Sequence, residues 1–205
     1  MNRWQKLWVN RQCEHCEEEL FEEDLFCGVC RKEIDRFLYP VVSKSRGYSL
    51  MSIYHYDGII RDLLRRMKFH EGRYLSRFFA GDIARFLNEN DIHPEVVAHI
   101  PMHRKKKRKR GFDQAEDLSV ETAKLLGVSS APLLCRKKQT KALYALNAKE
   151  RMRELEEAFS VLLPGDERLW VVLDDIVTSG STIDEAALTL KEANILNALF
   201  LVIAR

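Results

Sequence analysis

No apolar run in this 205-residue chain approaches the roughly 20 residues that a membrane-spanning helix needs; the longest, Ala198 to Ala204 (ALFLVIA), is far too short. No membrane insertion is therefore expected. The opening MNRWQKLWVN lacks the apolar core of a secretory signal, so a cytosolic protein is expected. Two phosphate-binding signatures are also missing. Without G-x-x-x-x-G-K-[ST] there is no nucleotide-triphosphate loop, and without G-x-G-x-x-G there is no dinucleotide fingerprint. Nor are there internal repeats or low-complexity linkers. What remains is 46% hydrophobic and 31% charged, ordinary for a globular chain of one medium α/β domain plus a small appendage. The net charge of +2 hides an asymmetry. Residues 13–35 are strongly acidic, whereas Arg104 to Arg110 is an unbroken basic run, which suggests two surfaces with different partners.

The most informative stretch is Val171 to Ile183, VVLDDIVTSGSTI. An apolar strand ends in adjacent carboxylates, Asp174 and Asp175, followed by Thr178, Ser179, Gly180, Ser181 and Thr182 and then by a helical pattern. The carboxylates can accept hydrogen bonds from two vicinal sugar hydroxyls. The loop hydroxyls and the unpaired N–H groups opening the helix can surround a phosphate. Gly180 lets the backbone turn tightly and approach the anion. A plain strand–turn–helix with capping hydroxyls is the competing reading. These residues resemble the phosphoribosyl pyrophosphate (PRPP) loop of type I phosphoribosyltransferases. The expected ligand is a phosphorylated ribose together with Mg²⁺, which typically bridges substrate oxygens and keeps its waters.

Cys13-x-x-Cys16 and Cys27-x-x-Cys30 stand ten residues apart and read as a four-thiolate Zn²⁺ site. Disulfides are the alternative, disfavoured in a cytosol, and a redox C-x-x-C is another. A closed four-sulfur site leaves no position for substrate, so the zinc is expected to be structural. His15 is expected to be exposed, not bound to metal. Cys135 reads as a bland thiol.

Between these landmarks, β-formers from Tyr48 to Tyr56 predict a strand ended by Asp57-Gly58. Apolar residues at helical spacing predict helices over Ile59 to Met67, Leu75 to Asn88 and Phe112 to Leu126. Val96 to Ile100, Val171 to Leu173 and Ala198 to Ile203 read as buried strands of a parallel sheet. Alternating strands and helices imply a doubly wound sheet with ligands at the carboxyl ends of its strands. The run Arg104, Lys105, Lys106, Lys107, Arg108, Lys109, Arg110 is expected to be an exposed, flexible loop, because adjacent like charges repel. It can close over a pyrophosphate or meet a nucleic-acid backbone; a plain surface loop and a localisation signal are the other readings. Tyr54, Tyr56 and Phe112 are candidates to stack on bases or to pack in the core.

Several features converge in order: the four-cysteine knuckle, Tyr56-Asp57-Gly58 leading to Met67-Lys68-Phe69, Pro101, the block Arg110-Gly111-Phe112-Asp113-Gln114-Ala115, and the PRPP loop. Together they resemble the ComFC-type competence proteins of bacteria, relatives of amidophosphoribosyltransferases. Asp113 stands where that family usually has Asn; Leu143 and Glu154 replace a common Gln and a frequent Asn. The resemblance implies a type I phosphoribosyltransferase fold over residues 39–205 behind a zinc finger at 1–38. It implies a factor for natural transformation that handles incoming single-stranded DNA with a helicase-like competence ATPase as partner. In such a site Pro101, Met102 and His103 would hold pyrophosphate and metal. An active phosphoribosyltransferase of nucleotide salvage is the alternative. A pure interaction module, with the acidic finger docking a partner, is a third.

Overall fold

Alternating residues of the central strands face two different apolar clusters, and this alternation builds the molecule in three layers. The computed structural model describes residues 12–20, 24–69, 72–138, 157–163 and 167–205. Leu143 and Glu154 lie outside them. Helices run over Gly28–Arg36 (α1), Gly58–Met67 (α2), Leu75–Glu89 (α3), Arg104–Arg110 (α4), Gln114–Leu126 (α5) and Ser181–Glu192 (α6). Strands are Leu38–Ser45 (β1), Tyr48–Tyr54 (β2), Val96–His99 (β3), Ser129–Ser130 (β4), Leu134–Arg136 (β5), Phe159–Val161 (β6), Trp170–Ile176 (β7) and Ala198–Ala204 (β8). Six strands form one sheet in the order β1-β2-β8-β7-β3-β4, antiparallel only at the β1–β2 hairpin. β5 and β6 form a separate antiparallel ribbon. The expected α/β architecture with a mostly parallel sheet is present.

Successive side chains of a strand point to opposite faces. In β7, Val171 and Leu173 therefore join Leu199, Leu201 and Ile203 against α2, α3 and α5. Trp170 and Val172 join Phe200 and Val202 against α6 and the ribbon. All of these side chains are buried, which is why β7 and β8 read as continuous apolar runs. The cysteine segment packs on the first cluster through Leu20, Phe26 and Ile34, with the Phe26 and Phe78 rings 4.9 Å apart and nearly edge to face. Glu14 fastens it there, its carboxylate taking Arg66 and the Tyr74 hydroxyl.

The basic run is a helix, α4, and not the loop that charge repulsion predicts. Like-charged neighbours one turn apart cost only a few tenths of a kcal/mol per pair, and lysine and arginine are good helix formers. The ends decide the outcome. His103 Nδ1 accepts the Lys105 N–H at 3.2 Å, and Gly111 closes the helix in the left-handed region at φ 88°. Lys107 pairs with Glu116 and Arg110 with the Gln114 carbonyl oxygen, so two of the cations meet acceptors on α5. Tyr54 and Phe112 are core residues, at 1% and 3% exposure, and this removes them as stacking platforms. Tyr56 packs against the same core.

Candidate functional site

β7 places Asp174 and Asp175 at the carboxyl end of the central parallel strand. Being adjacent, they start on opposite faces and meet different partners. Asp175, on the α2 and α5 side, accepts the Gln114 side-chain N–H at 3.1 Å and lies 3.4 Å from Lys68 Nζ, both through Oδ2. Asp174, on the ribbon side, has Arg136 in its field. Loss of water, and then the charge of Asp175, hold the Asp174 carboxyl well above the usual carboxylate range. Burial lowers the Arg136 guanidinium, with Asp174 and Asp113 acting against it.

After β7 the backbone extends its pairing by one residue, Val177 N–H donating to Ala204 O at 3.0 Å. Thr178 and Ser179 are then exposed, and Gly180 turns at φ 79° into α6. Gly180 has no side chain with which to cap α6, and at this positive end of the helix the Ser181 N–H meets Ser179 Oγ at 3.5 Å. The Ser179 and Ser181 hydroxyls lie 3.0 Å apart across this mouth, and Thr182 is half-buried beside them. A hydroxyl-rich turn and a helix N-terminus thus stand next to the acid pair.

The neighbouring strand β3 ends in register, Ile100 N–H donating to Leu173 O at 2.8 Å. Pro101, Met102 and His103 follow directly, at the same edge of the sheet. Asp113 pins this loop: one carboxylate oxygen takes the Met102 N–H at 2.9 Å and the other caps α5 through the Ala115 N–H at 3.1 Å. His103 is spent as the cap of α4. The RGFDQ block has a physical role for each residue. Arg110 orients Gln114, Gly111 ends α4, Phe112 is buried, Asp113 ties the loop, and Gln114 reaches Asp175.

Lys68, Gln114 and Arg136 are site residues for which the sequence alone predicts no role. Lys68 and Gln114 sit inside the quoted motifs, and their position one step past a helix end or at a helix start was the available signal. Arg136 had none, because the ribbon that presents it is short and irregular in pattern.

In the N-terminal segment, the sulfurs of Cys13, Cys16, Cys27 and Cys30 all lie within 4.8 Å of one another. Cys16 and Cys27 sulfurs are 3.6 Å apart. Tetrahedral zinc with Zn–S bonds of about 2.3 Å spaces sulfurs at roughly 3.8 Å, so the four fit such a metal. Cys27 also accepts the Cys30 N–H at 3.4 Å. Burial pushes the Cys13 thiol up, but the N–H groups of Cys16, Cys27 and His15 outweigh it and hold the group at about 6. Burial and the adjoining sulfurs push Cys30 up. His15 is exposed, with Nδ1 at 3.4 Å from the Cys30 sulfur. Cys135 faces Ser160 across the ribbon at 2.9 Å.

No family model matches the chain. Among curated proteins it is similar to Competence protein F of Haemophilus influenzae, 27% identical over 194 residues, covering 89% of this chain and 80% of that protein. It is 31% identical over 150 residues to Competence protein ComFC of Streptococcus pneumoniae, 72% of this chain and 64% of the other. The chain is a homologue of the ComF-type competence proteins. DNA utilization protein YhgH of Escherichia coli K12 is a further relative, 32% identical over 95 residues, 46% of this chain and 42% of that one. Two solved structures are similar at a TM-score of 0.42. One is the allosteric regulatory enzyme of purine biosynthesis, 16% identical; the other is glutamine PRPP amidotransferase from B. subtilis, 15% identical. Each match takes in 62% of this chain and about a quarter of the longer one. Among the described residues no helix is long and apolar enough to cross a membrane.

Proposed function

We propose that this chain is a cytosolic competence factor that handles incoming single-stranded DNA and carries a PRPP-type ligand in a phosphoribosyltransferase-like domain, residues 39–205. One observation carries the reading: two carboxylates crown the central parallel strand beside a glycine-opened helix mouth. Asp174 and Asp175 accept the ribose hydroxyls. Ser179, Ser181, Thr182 and the first N–H groups of α6 take the 5-phosphate, with Thr178 and Gly180 shaping the turn. Pro101, Met102 and His103 border the pyrophosphate, and Arg136 neutralises it. Mg²⁺, when bound, supplies further charge for that pyrophosphate, and the acid pair gives it a carboxylate neighbourhood.

Asp175 reaches the sugar by giving up Lys68, so ligand entry exchanges an internal pair for hydroxyl contacts. The exposed cations of α4 meet DNA phosphates. Residues 1–38, held by zinc, present acids such as Glu17, Glu18 and Glu19 to a helicase-like ATPase. The names of the relatives support the competence role, and the basic helix supports contact with a polyanion. Calorimetric titration of PRPP with Mg²⁺ tests the ligand site. Saturable binding that weakens at least tenfold in Asp175→Asn agrees with it; the absence of any heat in the wild type rejects it. Release of pyrophosphate on adding a nucleobase would shift the assignment to a salvage enzyme.

A further inference from the structure

The cleft between α2 and α4 has a composition that the sugar-phosphate site does not use. It encloses about 820 Å³ and is lined by Arg65, Lys68, Phe69, Lys106, Lys109 and Arg110, with no acid among them. Lys68 leans out of it toward Asp175, and Arg110 toward Gln114. Loss of water, then the charges of Arg110 and Arg136, hold the Lys106 ammonium below its ordinary value, with Asp175 acting against them. Phe69 lies just beyond the end of α2 and is 69% exposed. A single exposed aromatic on a surface is common and means nothing alone. Here it is set among five cations in a concave wall.

We propose that this cleft seats a short stretch of single-stranded nucleic acid, its phosphates on Arg65, Lys106, Lys109 and Arg110 and one base stacked on Phe69. This deepens the DNA-handling reading and rests on it, adding the site and its recognition chemistry. Every base has a π-face, so a lone aromatic between cations binds single strands without reading sequence. In a duplex the base faces are already stacked, and Phe69 has nothing to cover.

The test is fluorescence anisotropy of a labelled 12-mer of thymidylate with the full-length chain. Phe69→Ala should weaken binding about tenfold, within the range of one lost base stack. An abasic 12-mer should bind Phe69→Ala and wild type equally. Lys106→Gln with Lys109→Gln should reduce the salt slope by about 1.4, from about 0.7 per single-strand phosphate contact. An unchanged affinity in Phe69→Ala overturns the proposal, as does an equal loss with the abasic strand or tighter binding of the matching duplex. Free pyrophosphate competing as well as the 12-mer also overturns it and makes the cleft a plain phosphate site. PRPP titration reads the acid pair alone, so loss of PRPP binding with the strand still bound defeats the ligand reading and leaves the cleft standing.

Discussion

Asp113→Asn removes almost nothing in volume and should still destabilise the protein. Asp113 is 3% exposed, and its two oxygens accept two backbone N–H groups, Ala115 at 3.1 Å and Met102 at 2.9 Å. An amide offers one oxygen. Its NH₂ end must then face a second donor, whichever way the side chain is turned. The lost bond to a charged acceptor is worth about 1.5–3 kcal/mol, and the lost charge at the start of α5 about 0.3–1 kcal/mol. We expect about 2 kcal/mol in all, or 4–8 °C in Tm at roughly 2–4 °C per kcal/mol for a chain of this size. Asp113→Ala loses both bonds and should cost more than Asn. Urea titration is the assay, and a shifted midpoint with unchanged slope is the expected signature. An Asn variant within about 0.5 kcal/mol of wild type would refute the two-oxygen argument. Since Met102 is one of the tied groups, the same variant should also loosen the 101–103 loop and weaken any ligand held there.

Asp174→Asn should raise Tm near pH 7. The Asp174 carboxyl lies above its ordinary 3.8, so the folded state holds an extra proton, and stability falls as pH rises from 3.8 through the folded-state value. Removing the charge relieves that cost at neutral pH and gains nothing below about pH 4; a gain that persists at pH 3 contradicts the assignment. Lys68 serves both Asp175 and the cationic cleft. PRPP and an oligonucleotide should therefore raise each other's affinity by about fivefold, the low end of usual coupling. Lys68→Met should abolish the coupling, and coupling that survives rules out the shared cation. Chelation should release one zinc per chain by elemental analysis and speed amide exchange in α2 and α3, because Leu20, Phe26 and Ile34 pack there. A metal-free protein with unchanged exchange would contradict the metal reading.

What the sequence made legible follows periodicity and caps. The runs at β7 and β8 announce buried parallel strands, since both faces are covered, and α2, α3 and α5 appear within one or two residues of the expected bounds. β1 went unread. Its partner turn, Arg46 and Gly47 with φ 52° and 103°, is a two-residue hairpin, but only Gly47 advertises it. The helix at Arg104–Arg110 was hidden because repulsion within the run is local, whereas the acceptors that offset it, Glu116 and Gln114, lie on the next helix. The acid pair was visible as adjacent letters. That the two carboxylates meet Lys68 and Gln114 on one face and Arg136 on the other follows from strand alternation combined with tertiary placement, which no single segment encodes.

The most direct measurement is a crystal structure grown with PRPP and Mg²⁺. The account predicts the 5-phosphate against the N–H groups and hydroxyls of Ser179 to Thr182, the ribose hydroxyls on Asp174 and Asp175, and Lys68 swung away from Asp175. Lys68 and Gln114 still seated on Asp175, with no sugar at the helix mouth at saturating ligand, would contradict it.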